Sequence, residues 1–203
     1  MMRSPVIPFV IAAAVSILIG VGVTMKPYFA GDVQAARAIQ SVSPNPGSWA
    51  TPISRLAPAP GKYYVMAVTI VAAFFVGGVR GLVLMLAFLL LEQYGAEHTK
   101  AWFGRPRPSR DLIAVMGTPS GFSFPSTTIT FFAATFGTVG MLAAMRRKAP
   151  YRVPVMIVMF GMLAAGCVAR VAMGAHWPSD VILTTAICLT WIWAAARVVL
   201  KAS

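Results

Sequence analysis

Acidic residues are scarce in this chain: five Asp and Glu stand among 203 residues, against 17 Lys and Arg and two His. So small a stock of carboxylates and imidazoles supplies no metal-ligand cluster, and neither a metal nor another cofactor is expected. Cysteine is as rare. Cys167 and Cys188 both fall inside apolar runs, at no metal-ligand spacing, and two thiols within a membrane are not a disulfide framework, so they read as packing residues. Charge of any sign is low, at 11% of residues, where soluble domains carry roughly a quarter. Water is therefore not the main solvent. The cations form no continuous stripe, which excludes nucleic acid as the partner. There are no internal repeats and no low-complexity tail.

What is abundant is apolar sequence: 58% of residues are hydrophobic and the mean hydropathy is +0.77. A spanning helix needs about 20 mostly apolar residues. Six candidate spans meet or approach that length, at residues 5–24, 63–78, 82–94, 124–145, 153–173 and 178–200. The expectation is all-α, a six-helix integral membrane bundle forming one domain over residues 1–203. The second and third spans are short and lean on Tyr63, Tyr64 and Gln93 to reach the interfaces, with Gly77, Gly78 and Arg80 allowing a tight hairpin between them. The first span follows Arg3 but runs too long for a signal peptide and reads as a retained anchor. The outer loop, residues 26–61, contains a short amphipathic stretch around Asp32 to Ile39 and reads as interfacial cover.

The positive-inside rule places Arg3, Arg80, the run Arg146-Arg147-Lys148, Arg152, Arg197 and Lys201 in the cytoplasm, with both termini on the cytoplasmic side of the cell membrane. Lys100, Arg105, Arg107, Arg110 and Arg170 then fall at the outer face, against the rule, and call for another reason. Both histidines, His98 and His176, fall on the same side.

Three segments meet at that level. The first, Lys100 to Pro108, is too rich in proline to stay helical past Gly104. A point-charge Lys and a planar Arg can together hold a tetrahedral phosphate, although the segment alone equally fits a solvated basic loop or headgroup contacts. In the second, Ser123, Pro125, Ser126, Thr127 and Thr128 lead into the fourth span, as at a helix N-terminus that attracts an anion. Alone, that is ordinary capping. In the third, Arg170 precedes His176 and Asp180, which are four apart; the carboxylate can accept from the imidazole and leave its other nitrogen as nucleophile or base. A structural histidine with a capping Asp is the alternative. Taken together, Lys100, Arg107 and Arg170 would bind phosphate, Ser126 and Thr127 would add donors, and a buttressed His176 would face phosphorus.

At this point the sequence resembles the type 2 phosphatidic acid phosphatase (PAP2) superfamily, marked by Lys-x6-Arg-Pro, Pro-Ser-Gly-His and Ser-Arg-x5-His-x3-Asp. Lys100 to Pro108 matches the first motif, and Arg170, His176 and Asp180 match the third, with Ala169 in place of Ser. The second aligns on Pro125-Ser126-Thr127-Thr128, so Thr128 stands where the family has histidine; Pro119-Ser120-Gly121-Phe122 keeps the Gly but also lacks His. The resemblance implies a lipid-phosphate phosphatase in which His176 becomes a phosphohistidine, Asp180 orients it, and the usual proton donor is missing. General acid catalysis contributes about 10²–10⁴-fold. A phosphate leaving group needs it far less than an alkoxide, which points to a lipid diphosphate such as polyprenyl diphosphate, entering from the bilayer. Monophosphates such as phosphatidic acid stay open. His98 is a possible alternative acid or an interfacial histidine. Two other readings stand beside this one: a PAP2-fold phosphotransferase or weak lipid-phosphate binder, and a small transporter or membrane assembly protein. Oligomeric state is not legible.

Overall fold

The computed structural model describes residues 6–201. Residues 1–5 and 202–203 of the expected domain, with Arg3 and the first residue of the 5–24 span, lie outside the described residues. The described chain is helical, with α1 Val6–Thr24, α2 Asp32–Ser41, α3 Pro46–Ser54 and α4 Gly61–Phe103, then α5 Thr127–Met145, α6 Arg152–Ala172 and α7 Pro178–Lys201.

Five of these helices, α1, α4, α5, α6 and α7, are long and apolar enough to cross a membrane. The 43 residues of α4 would measure about 65 Å if straight, twice the roughly 30 Å hydrocarbon core. It is not straight. Gly78 adopts φ 67°, ψ −160°, a conformation open to glycine but not to residues with a Cβ. Lys62 Nζ lies 3.2 Å from Glu92 Oε2 and 2.7 Å from Gln93 Oε1, although a straight helix would separate them by about 45 Å. The chain therefore folds back at Gly78, and a Cβ on Gly81 would stand 2.5 Å from the Ala73 carbonyl of the first arm. The expected hairpin is present, so the five long helices supply six apolar segments. The second arm differs from the expected 82–94 span. Nothing breaks the helix after Tyr94, so it runs on to Phe103, carries His98 and Lys100 on its last turns, and ends on Gly104 in the left-handed region.

The centre of the bundle is α5, 72% of whose apolar window is buried, against 11% for α1 and 33% or less for the others. A π-helical turn at Ala133–Gly137 interrupts it. The outer helices expose Val68, Phe75, Leu90, Leu91 and Ile157, surface that suits acyl chains and would be a liability in water. Exposed Tyr63, Tyr64, Tyr94 and Trp102 ring one end of the α4 hairpin as interfacial aromatics do. At the opposite end Arg146 donates to the carbonyls of Val76 (3.2 Å) and Gly77 (3.4 Å), capping the hairpin turn. The 26–61 segment is more structured than cover alone: α2 and α3 pack on α6.

Candidate active site

The second and third motif segments meet where the α6–α7 turn faces the start of α5. Gly174 makes that turn possible: its φ is +65°, and a Cβ there would lie 2.0 Å from the Ala114 carbonyl of the loop crossing over it. The same loop is tied down by Met116 N–H donating to Met173 O at 2.9 Å. Two residues on, His176 is 1% exposed. Its Nδ1 stands 2.7 Å from the Ser123 carbonyl, which can only accept, so Nδ1 carries the proton and Nε2 keeps its lone pair. Nε2 lies 3.3 Å from both Ser126 Oγ and Arg107 Nη1. Burial pushes the imidazole pKa down to about 4; the Asp180 carboxylate opposes the shift, while Arg170 and Arg107 add to it. The ring is thus neutral near pH 7 and presents an unprotonated nitrogen.

The partner of that ring corrects the sequence expectation. Asp180 Oδ2 is 3.7 Å from Nδ1, beyond hydrogen-bonding distance. Asp180 instead accepts from Trp177 N–H at 2.8 Å and pairs with Arg105 Nη1. The backbone carbonyl of Ser123 holds the tautomer, because the loop before α5 is pinned beside it: Ser123 N–H donates to Arg105 O at 2.8 Å and its hydroxyl to Pro106 O at 3.0 Å.

Arg105, unassigned in the sequence, has a fully buried side chain. It also reaches Asp32 Oδ2 at 3.1 Å and the Pro27 carbonyl at 3.2 Å, and stacks over Phe29. Asp32 in turn accepts from Ser179 N–H (2.9 Å) and Ser179 Oγ (2.6 Å). The amphipathic stretch around Asp32 is therefore locked to the start of α7. No sequence pattern distinguishes Arg105 from its neighbouring cations.

Lys100 is 8% exposed and its ammonium lies 3.0 Å from Glu97 and 3.4 Å from Thr127 Oγ1 at the start of α5. Arg107 is held by the carbonyls of Ser120 (2.9 Å), Gly121 (3.2 Å) and Ala175 (2.6 Å). Burial pulls the Arg107 guanidinium down from its ordinary value, opposed by Asp180 and Glu97. Arg170, Thr127 and Thr128 share a cavity of about 400 Å³ with Thr51, Ser54 and Arg55 of the 26–61 segment. Of the expected phosphate ligands, Arg107 and Ser126 contact His176, while Lys100 and Arg170 lie with Thr127 at the first turn of α5, whose N–H groups have no helical acceptor. His98 does not join them: it is exposed and lines neither the polar cavity nor the apolar one beside it. Among the described residues no three of His, Cys, Asp and Glu cluster as metal ligands do.

A family model described as the PAP2 superfamily matches residues 81–203, more than half of the chain. The chain belongs to the PAP2 superfamily. The match spans all three motif segments and leaves α1 to α3 outside it. Among solved structures, the crystal structure of a transmembrane PAP2 type phosphatidylglycerolphosphate phosphatase from Bacillus subtilis superposes with a TM-score of 0.68 at 20% identity, covering 100% of this chain and 98% of the other. At that identity the likeness is one of fold, and it extends the PAP2 architecture to the N-terminal helices. No curated protein matches by sequence. With five spanning helices and this fold, the PAP2 chain is a multi-pass membrane protein.

Proposed function

We propose that this PAP2 protein hydrolyses a lipid diphosphate through a phosphohistidine at His176. Family membership makes it a phosphatase-type enzyme; the finer reading rests on the site. The observation that carries it is the orientation of His176, whose Nδ1 is spent on the Ser123 carbonyl while Nε2 faces Arg107 and Ser126. In the first step Nε2 bonds to the terminal phosphorus as the bridging P–O bond breaks, and the electron pair leaves on the lipid phosphate. In the second, a water oxygen bonds to phosphorus, the N–P electron pair returns to Nε2, and the water proton passes to solvent or phosphate. Lys100, Arg107, Arg170 and the α5 N-terminus offset the charge that builds on the phosphoryl oxygens.

Thr128 supports the diphosphate over a monoester. It lines the cavity from the position where the family's proton donor stands, and a hydroxyl has too high a pKa to serve as an acid. The same residue favours a second reading, a PAP2-fold phosphotransferase or lipid-phosphate binder without hydrolysis. Purified protein assayed for phosphate release against farnesyl diphosphate, farnesyl monophosphate, phosphatidic acid and phosphatidylglycerol phosphate separates the two. The expected result is turnover of the diphosphate, abolished in His176→Ala while the variant still inserts and folds. Changing Thr128 to His should accelerate the monoesters selectively. Near-normal activity in His176→Ala sinks the mechanism; no turnover of any substrate until Thr128 is made His identifies a binder.

A further inference from the structure

The cavity lined by Arg170, Thr127 and Thr128 contains a cation that no PAP2 motif includes. Arg55 follows the last turn of α3, in the segment outside the family match, and faces the same 400 Å³ space as Arg170. The exposed Arg55 guanidinium makes no hydrogen bond or ion pair among the described residues, and the buried Nε of Arg170 is without an acceptor. The contrast with the rest of the site is informative. Arg105 and Arg107 are bound on several sides, and Lys100 has Glu97. Arg170 combines a buried, unsatisfied N–H with the nearby like charge of Arg107, and Arg55 adds a further cation to the same space; a multivalent anion relieves both costs. Hydroxyl donors stand around them in Thr51, Ser54, Thr127 and Thr128. The cavity's single carboxylate among the described residues, Glu92, has its charge held by Lys62 at 3.2 Å.

We propose that Arg55, with Arg170, binds the second phosphoryl group of a diphosphate, the one that departs with the lipid. The proposal rests on the phosphohistidine reading above and deepens it. The terminal phosphoryl group sits against His176, Arg107 and Lys100. The bridging oxygen and the second phosphoryl group then point toward Arg55. When the P–O bond breaks, the electron pair and the new charge fall on a phosphate that Arg55 and Arg170 neutralise, so no proton has to be delivered. Charge stabilisation of the leaving group thus stands in for the absent histidine, and the unmatched N-terminal segment becomes part of the specificity site.

The test compares farnesyl diphosphate with farnesyl monophosphate, which differ only in the second phosphoryl group, in the intact protein and in Arg55→Gln and Arg55→Lys. The readout is the ratio of the two kcat/KM values, which loss of folded protein leaves unchanged. In Arg55→Gln the ratio should fall about 10- to 100-fold, the usual weight of a charge-assisted hydrogen bond. Arg55→Lys should restore part of it. Methylenediphosphonate should inhibit the intact protein more strongly than inorganic phosphate does, and that advantage should shrink in Arg55→Gln. An unchanged ratio in Arg55→Gln overturns the assignment. So does an intact protein that cleaves the monophosphate as fast as the diphosphate and loses that ability selectively in Glu92→Gln, which would make Glu92 the proton donor. Activity surviving in His176→Ala would instead overturn the underlying phosphohistidine reading, whatever Arg55 does.

Discussion

His176 carries one proton, on the side of the Ser123 carbonyl, and burial keeps the other nitrogen free of one. An imidazole pushed down to about 4 stays neutral as pH falls through the ordinary histidine range near 6.5. Its nucleophilic form is therefore present from above neutrality down to about pH 5 and is lost only below that. After correction for substrate ionisation, kcat/KM for a lipid diphosphate should stay level across that range and drop near pH 4. An acidic limb centred near 6.5 would mean a solvated histidine and contradict the site. Asp180, four residues on, reaches the ring through space alone at 3.7 Å, and its oxygens serve Arg105 and Trp177. Those contacts brace the turn that carries His176, with no direct hydrogen bond to the ring.

At the scale of elements, the site depends on helices that the family match does not include. Asp32 on α2 joins Arg105 of the first motif to Ser179 at the start of α7, with all partners wholly or partly buried. Removing one member of a buried ion pair leaves a charge without its counterion, which costs about 3–5 kcal/mol. Arg105 retains Asp180 in such a variant, so the lower end of that range is the expected loss for Asp32→Ala. Thermal unfolding in detergent should show a clear fall in Tm, and phosphate release should fall with it because the turn carrying His176 loses its brace. Unchanged melting and activity would show that α2 is cover and nothing more. The expected amphipathic stretch was visible from its sequence pattern. Its role was not, because the partner of Asp32 lies 73 residues away.

For the whole molecule, orientation decides which pool of substrates the site meets. The motif segments gather at one end of the bundle, while Arg146 caps the α4 turn at the other. The cation run Arg146-Arg147-Lys148 motivates the orientation proposed here, with that end in the cytoplasm and the site outside. In a background with Cys167 and Cys188 replaced by Ala, Ser109→Cys should react with a membrane-impermeant maleimide in intact cells, and Ala149→Cys only after permeabilisation. Ser109 is exposed and lies in the site-end loop. The reverse labelling pattern would put the site in the cytoplasm and change the pool of substrates it meets.

The amino-acid sequence by itself determined the solvent, the helical class, the hairpin of apolar segments and the identity of the motif residues. Each follows from local pattern: apolar run length, a Gly-Gly turn, and fixed spacings from Lys100 to Arg107 and from His176 to Asp180. Tertiary structure decided who partners whom. The Ser123 carbonyl holds His176, since a backbone acceptor has no signature in side-chain identity. Arg105 takes Asp180 away from the imidazole, a competition that spacing along one segment cannot reveal. Lys100 is reached by a helix that continues through Gly95, past its apolar stretch, and ends only on Gly104 in the left-handed region. Arg55 faces Arg170 only because α3 folds back over α6, bringing together two charges 115 residues apart, and contacts between distant segments are set by packing rather than by any local rule.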